Sequence, residues 1–165
     1  MKKTAVLLYP QFSEYELSVA LSVLMQGGKS VVTIGINNEP IRGESGLMCL
    51  PDTTIDQVNC DEIDSLLLTG CMDIGALQNE ENLFAFIKKM ESNVSLIASI
   101  SSSPFLLAKA GVLKGKKYTI GMTKENREAL GIFENEYYSD DLVVQDGKLI
   151  TARGYRRRNC TYVWL

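Results

Sequence analysis

Histidine is missing altogether from these 165 residues. Its absence removes Ser–His–Asp and Cys–His catalysis within one chain, and imidazole-based metal sites with them. Cysteine is sparse. Cys49, Cys60, Cys71 and Cys160 show neither C-x-x-C nor zinc-like spacing, which argues against a dithiol redox centre or a structural zinc and predicts reduced thiols in a cytoplasmic protein. Long apolar runs are also lacking. Lys2–Lys3 followed by Thr4–Tyr9 has the outline of a signal peptide, but Pro10 and Glu14 interrupt it, so a first strand is expected and no membrane partner. The net charge of −3 comes without a basic stripe, and the Arg156–Arg158 triplet is too small a cluster to predict nucleic acid binding. Neither G-x-G-x-x-G nor a P-loop occurs, so no nucleotide is expected, and no cofactor or metal.

What remains is an ordinary soluble composition, 45% hydrophobic and 22% charged, long enough for one domain with a substantial core. Ala5–Leu8, Ser30–Ile36, Asp64–Thr69 and Val94–Ile100 are short runs rich in Leu, Ile and Val, the pattern of strands buried on both faces. Between them, Glu14 to Met25 (with Leu17, Ala20, Leu21 and Leu24 as its apolar face and Ser13 as N-cap) and Glu80–Glu91 are spaced as helices. Ser103 is expected to cap a Pro104-initiated helix that ends at Gly111, and Pro40–Leu50 predicts a small hairpin. Asp146–Gly147, between Leu142–Val144 and Leu149–Thr151, is a hairpin turn. Alternating strands and helices predict a mainly parallel α/β sandwich, whose sites form beyond the carboxyl ends of the strands: Pro10–Glu16, Gly70–Met72 and Ser101–Pro104.

Residues 97–119, IASISSSPFLLAKAGVLKGKKYT, resemble the strand, elbow and helix AAICAGPxLLAxAGLLKGKxxT of the ThiJ/PfpI superfamily, which includes the parkinsonism-associated protein deglycase. SLLLTGC at 65–71 is similar to that family's strand ending in PGG. YPQFSEYEL at 9–17 is similar to its first strand and acidic elbow partner, and LVVQDGKLITARG at 142–154 to its late hairpin. The resemblance implies a flavodoxin-like three-layer fold of the class I glutamine amidotransferase type with a nucleophile elbow, spanning residues 1–154, and a homodimer. It also implies the nominal label of intracellular peptidase or amidase, or a hydrolase acting on carbonyl compounds.

The departures from the pattern all fall on the site. Ser101 stands where the family has its cysteine, Glu16 matches the glutamate that bonds that cysteine, Gly121 falls near a frequent histidine, and Cys71 replaces the second glycine of PGG. A thiol at such an elbow ionises near neutral pH, whereas a serine needs a general base, and a carboxylate matches an alcohol proton poorly. The first reading is therefore a catalytically degenerate member that binds a small molecule or a protein. The alternative is a low-activity hydrolase using Ser101 as nucleophile (or a displaced thiol, Cys71) with Glu16 as base and the Cys71 and Ser102 amides as oxyanion donors. A redox sensor is disfavoured because the elbow thiol is absent. Burial beside Ser101 predicts a raised Glu16 pKa. The serine run 101–103 could also hold a small anion on its amides.

After Arg153 the family's usual helix, similar to GTAxEFALALVE, is replaced by GYRRRNCTYVWL. A reading frame displaced by one nucleotide permits ATAEEIALTFG, which predicts that 155–165 is an atypical tail produced by a frameshift. Resequencing the coding DNA is expected to show the displaced frame; an open frame whose tail recurs in close relatives contradicts it.

Overall fold

The computed structural model describes residues 2–154; the atypical tail, its proposed frameshift and Cys160 lie outside the described residues. The chain enters through β1 (Lys3–Leu8), whose last five residues are buried, and turns into α1 (Glu14–Gln26). Then come β2 (Val31–Gly35), the small hairpin β3 (Ile41–Arg42) and β4 (Met48–Cys49), and β5 (Thr53–Thr54). The second half comprises β6 (Ile63–Leu68), α2 (Glu81–Asn93), β7 (Leu96–Ile100), α3 (Pro104–Lys109), α4 (Lys124–Leu130), β8 (Val143–Asp146) and β9 (Leu149–Ala152).

Seven strands form one sheet in the order β5-β2-β1-β6-β7-β9-β8, parallel throughout except for the β8–β9 hairpin. This is the mainly parallel, flavodoxin-like α/β sandwich that the strand and helix spacing predicts. From β1 the chain steps outward to β2, but from β6 it steps the opposite way to β7. Right-handed crossovers then place α1 and α2 on opposite faces. The reversal makes β1/β6 the switch point where a site is expected.

The two faces are covered unequally. α2 buries Leu83, Phe84, Phe86, Ile87 and Met90 and packs beside α3. α1 buries only Leu17, while Tyr15, Val19, Val23 and Met25 are 63–75% exposed. Ala20, Leu21 and Leu24 are half-buried rather than forming a closed core face. Between α1 and the sheet runs an open groove of about 680 Å³ floored by Leu67, Leu96 and Ala98. Central parallel strands normally have both faces covered. Among the described residues no helix lies over this stretch, which is why half of the expected α1 face stays open.

Two capping expectations are corrected. Ser13 precedes α1 but does not cap it, because its hydroxyl donates to Glu44 Oε1 at 2.7 Å. Ser103 precedes α3 in helical conformation with no capping bond; its fully buried hydroxyl is taken by Ser99, Ile100 and the Leu68 carbonyl. A hydroxyl between two strand ends finds closer partners there than in its own helix.

Candidate functional site

The elbow is a conformational fact. Ser101 has φ +63°, one of two non-glycine residues with positive φ among the described residues; the other is Gln11 (φ +61°) in the turn after β1. Such a backbone costs about 1–3 kcal/mol and persists only where surroundings enforce it. Here they do. The Ser101 amide donates to the Ala152 carbonyl at 2.9 Å, and its carbonyl accepts from the Gly121 amide at 2.7 Å. Both backbone groups are thereby fixed, and the side chain is aimed out of the turn between β7 and α3.

Glycines leave room for that side chain. A methyl built on Gly70 would lie 2.8 Å from Ser101 Cβ and 2.9 Å from both Ser101 Oγ and Glu16 Oε2. On Gly154 it would lie 2.5 Å from Ser101 Oγ and 2.9 Å from Glu16 Oε1. On Gly121 it would press on the Ser101 backbone at 3.3 Å. The predicted pair Ser101 and Glu16 is thus brought together, from β7–α3 and α1, at the β1/β6 switch point. Gly154 was not anticipated from sequence; its place two residues past β9 was the only available signal.

Glu16 is half-buried and accepts from the Gly70 amide at 2.7 Å. Burial raises its pKa above the ordinary carboxyl value; the Gly70 amide and the Ser101 hydroxyl oppose this, and the nearby Glu44 charge adds to it. Because the folded pKa is the higher one, Glu16 favours the fold below the unfolded value of about 4.3 and loses that contribution as pH rises through the folded value. Glu16→Gln, which keeps an oxygen for Gly70, is expected to flatten the decline in stability above about pH 4.3. Urea unfolding midpoints across that window check it; an unchanged profile contradicts it.

Cys71 follows the end of β6, beside the elbow. Its residue is buried, and its thiol is pushed up to about 12, first by burial and then by the charges of Asp73, Glu44 and Glu16, against a backbone bond to Asp73. A thiol so held is a poor nucleophile at neutral pH, which weighs against the displaced-thiol alternative. Of the two amides expected as oxyanion donors, one is engaged and one is not. The Cys71 amide already donates to Ser102 Oγ at 3.1 Å, and Ser102 Oγ donates to the Cys71 carbonyl at 3.3 Å. The Ser102 amide has no hydrogen-bond acceptor among the described residues. For a small anion the run thus leaves the Ser102 amide, while the Ser102 hydroxyl is spent on Cys71 and the Ser103 hydroxyl on the core.

A family model described as the DJ-1/PfpI family matches residues 2–158. The chain belongs to the DJ-1/PfpI family. It is 34% identical to Protein dj-1beta of Drosophila melanogaster over 155 residues, covering 93% of this chain and 81% of that one. The crystal structure of Drosophila melanogaster DJ-1beta matches with a TM-score of 0.77 at 33% identity, over 93% of this chain and 83% of that one. Deglycase PfpI of Pyrococcus furiosus is 31% identical over 145 residues, 87% of this chain and 84% of its own. A two-domain Anabaena variabilis protein, containing DJ-1/ThiJ/PfpI-like and ferritin-like domains, gives a TM-score of 0.80 at 26% identity over 93% of this chain. The chain spans 44% of that protein. Within the DJ-1/PfpI frame, the elbow fold is retained while the side chain it presents is a serine.

Proposed function

We propose that this DJ-1/PfpI member is catalytically silent at its elbow and acts there by binding a small molecule or protein in the cytoplasm. The observation that carries this reading is the serine in the strained elbow position (φ +63°), whose titratable partner among the described residues is the single carboxyl of Glu16. A serine hydroxyl needs a base matched to an alcohol proton, and even a raised carboxyl falls far short. The relatives named deglycases suggest carbonyl compounds as the ligand class, held without covalent turnover. The test compares wild type with Ser101→Ala in hydrolase and deglycase assays. Equal, background rates support the reading; turnover lost in Ser101→Ala overturns it.

One observation favours the second reading, a slow hydrolase: the raised Glu16 pKa moves that carboxyl towards a base useful near neutrality. It predicts a rate that rises with Glu16 ionisation and disappears in Glu16→Gln.

A homodimer is proposed on the open helix face. Tyr15, Val19 and Val23 recur every four residues on α1 and form an exposed apolar ridge, the kind that interdigitates with a second copy of itself. Val19→Glu is expected to convert dimer to monomer in sedimentation velocity. A wild type that sediments as a monomer, or a dimer indifferent to the charge, contradicts this assignment.

A further inference from the structure

We infer that the Ser102 side chain is a latch that closes the elbow's oxyanion donor. The inference rests on the elbow reading proposed above, and it concerns a residue that reading leaves idle.

The geometry starts from a single antiparallel bridge between Phe12 and Cys71. Its hydrogen bonds lie on either side of the pair, Ser13 N–H to the Gly70 carbonyl at 2.8 Å and Met72 N–H to the Gln11 carbonyl at 3.1 Å. Phe12 and Cys71 are thus a non-hydrogen-bonded pair, and the N–H and C=O of Cys71 are turned away from Phe12. A backbone so placed, at a strand end beside an elbow, presents a free donor to whatever occupies the site. Here it does not. Ser102 Oγ takes both groups at once, accepting from the amide at 3.1 Å and donating to the carbonyl at 3.3 Å. One hydroxyl supplies what a further strand would have supplied.

The consequence is chemical. An oxyanion at the elbow finds the Ser102 N–H unpaired among the described residues, but to receive the Cys71 N–H as its second donor the Ser102 hydroxyl must break two bonds and rotate away. Alanine at 102 has nothing to rotate: the N–H stands open. A donor aimed at developing negative charge accelerates acyl transfer by about 10²–10³-fold. The latch therefore suppresses acyl transfer independently of the nucleophile, and the site is closed twice, by serine at 101 and by the hydroxyl at 102. Ser102 is a positioning residue; it touches the donor, not the reacting atoms.

The experiment supplies the missing thiol and then opens the latch. In Ser101→Cys, the thiolate attacks the carbonyl carbon of p-nitrophenyl acetate and a C–S bond forms, with the electron pair of the carbonyl moving to oxygen. Collapse of that oxyanion breaks the ester C–O bond and releases p-nitrophenolate, leaving a thioester at position 101 that water can hydrolyse. Acylation at that position is followed by mass spectrometry. Ser101→Cys/Ser102→Ala is expected to acylate about ten-fold or more faster than Ser101→Cys, while Ser101→Cys/Ser102→Thr stays at the slow rate. A gain of rate is not what structural damage produces. In the otherwise wild-type chain, Ser102→Ala is expected to speed hydrogen exchange of the Cys71 amide and Ser102→Thr to leave it protected. Ser101→Cys/Ser102→Ala no faster than Ser101→Cys, or a Cys71 amide equally protected in Ser102→Ala, overturns the latch. If no thiol variant is acylated, the elbow reading fails, and the exchange measurement still decides whether Ser102 holds the amide.

Discussion

Ser101→Cys is expected to create the most reactive thiol in the described part of the chain. Alkylation by iodoacetamide at neutral pH, resolved by site with mass spectrometry, should proceed at position 101 at least about ten-fold faster than at Cys49, Cys60 or Cys71. The contrast follows from where each sulfur sits. Cys60 and Cys71 are buried, and Cys71 is pushed up to about 12. Cys49 is half-buried, and its pKa is raised by burial and then by the charge of Glu14. Position 101, in contrast, is half-exposed at a turn whose backbone is pinned at both ends. It lies beside a carboxyl whose raised pKa lessens repulsion of a neighbouring thiolate. Labelling at 101 no faster than at the buried thiols would show that the elbow no longer exposes its side chain.

Gly70→Ala is expected to destabilise the fold by about 2–3 kcal/mol, which for a domain of this size lowers Tm by about 5–10 °C. The added methyl lands 2.8 Å from Ser101 Cβ and 2.9 Å from Glu16 Oε2, and none of these groups can withdraw easily. Ser101 is fixed through both backbone groups, Glu16 is bonded to the Gly70 amide at 2.7 Å, and the Gly70 carbonyl accepts from Ser13 at 2.8 Å. Ser101→Gly alone is expected to be near neutral, since glycine adopts φ +63° without strain but brings more unfolded-state freedom. Combined with Gly70→Ala it should recover about 1 kcal/mol or more, because the clash loses its Cβ partner. Chemical unfolding of the four proteins measures the cycle. Additivity would place the strain elsewhere.

The strands, the order of alternation and two long helices were legible because short Leu/Ile/Val runs and 3.6-residue spacing have few other solutions. Three things escaped. α4 (KENREAL) has no apolar stripe; it is anchored instead by Arg127, buried, bonded to the Met122 carbonyl at 3.0 Å and stacked 3.5 Å from the centre of the Tyr138 ring. β5 is two residues long, and its pairing with β2 leaves no periodicity to read. The open side of α1 depends on what lies across the sheet, which spacing within a helix does not encode.

At the site, Ser101 and Glu16 were legible because the 97–119 segment marks an elbow and residues 9–17 mark its acidic neighbour. The Ser102–Cys71 bond was not. It arises because a bridge to Phe12 turns the Cys71 backbone toward an element 31 residues away, and only the folded chain shows that orientation. The same limit applies to Gly154, whose lack of a side chain makes room for Ser101 Oγ.

The central claim is that a DJ-1/PfpI elbow is retained without its nucleophile, and turnover of small esters and carbonyl adducts by wild type, Ser101→Ala and Ser101→Cys side by side tests it most directly. The account predicts background rates for wild type and Ser101→Ala, and activity above both for Ser101→Cys. Wild-type turnover that disappears in Ser101→Ala would contradict it and make Ser101 a working nucleophile.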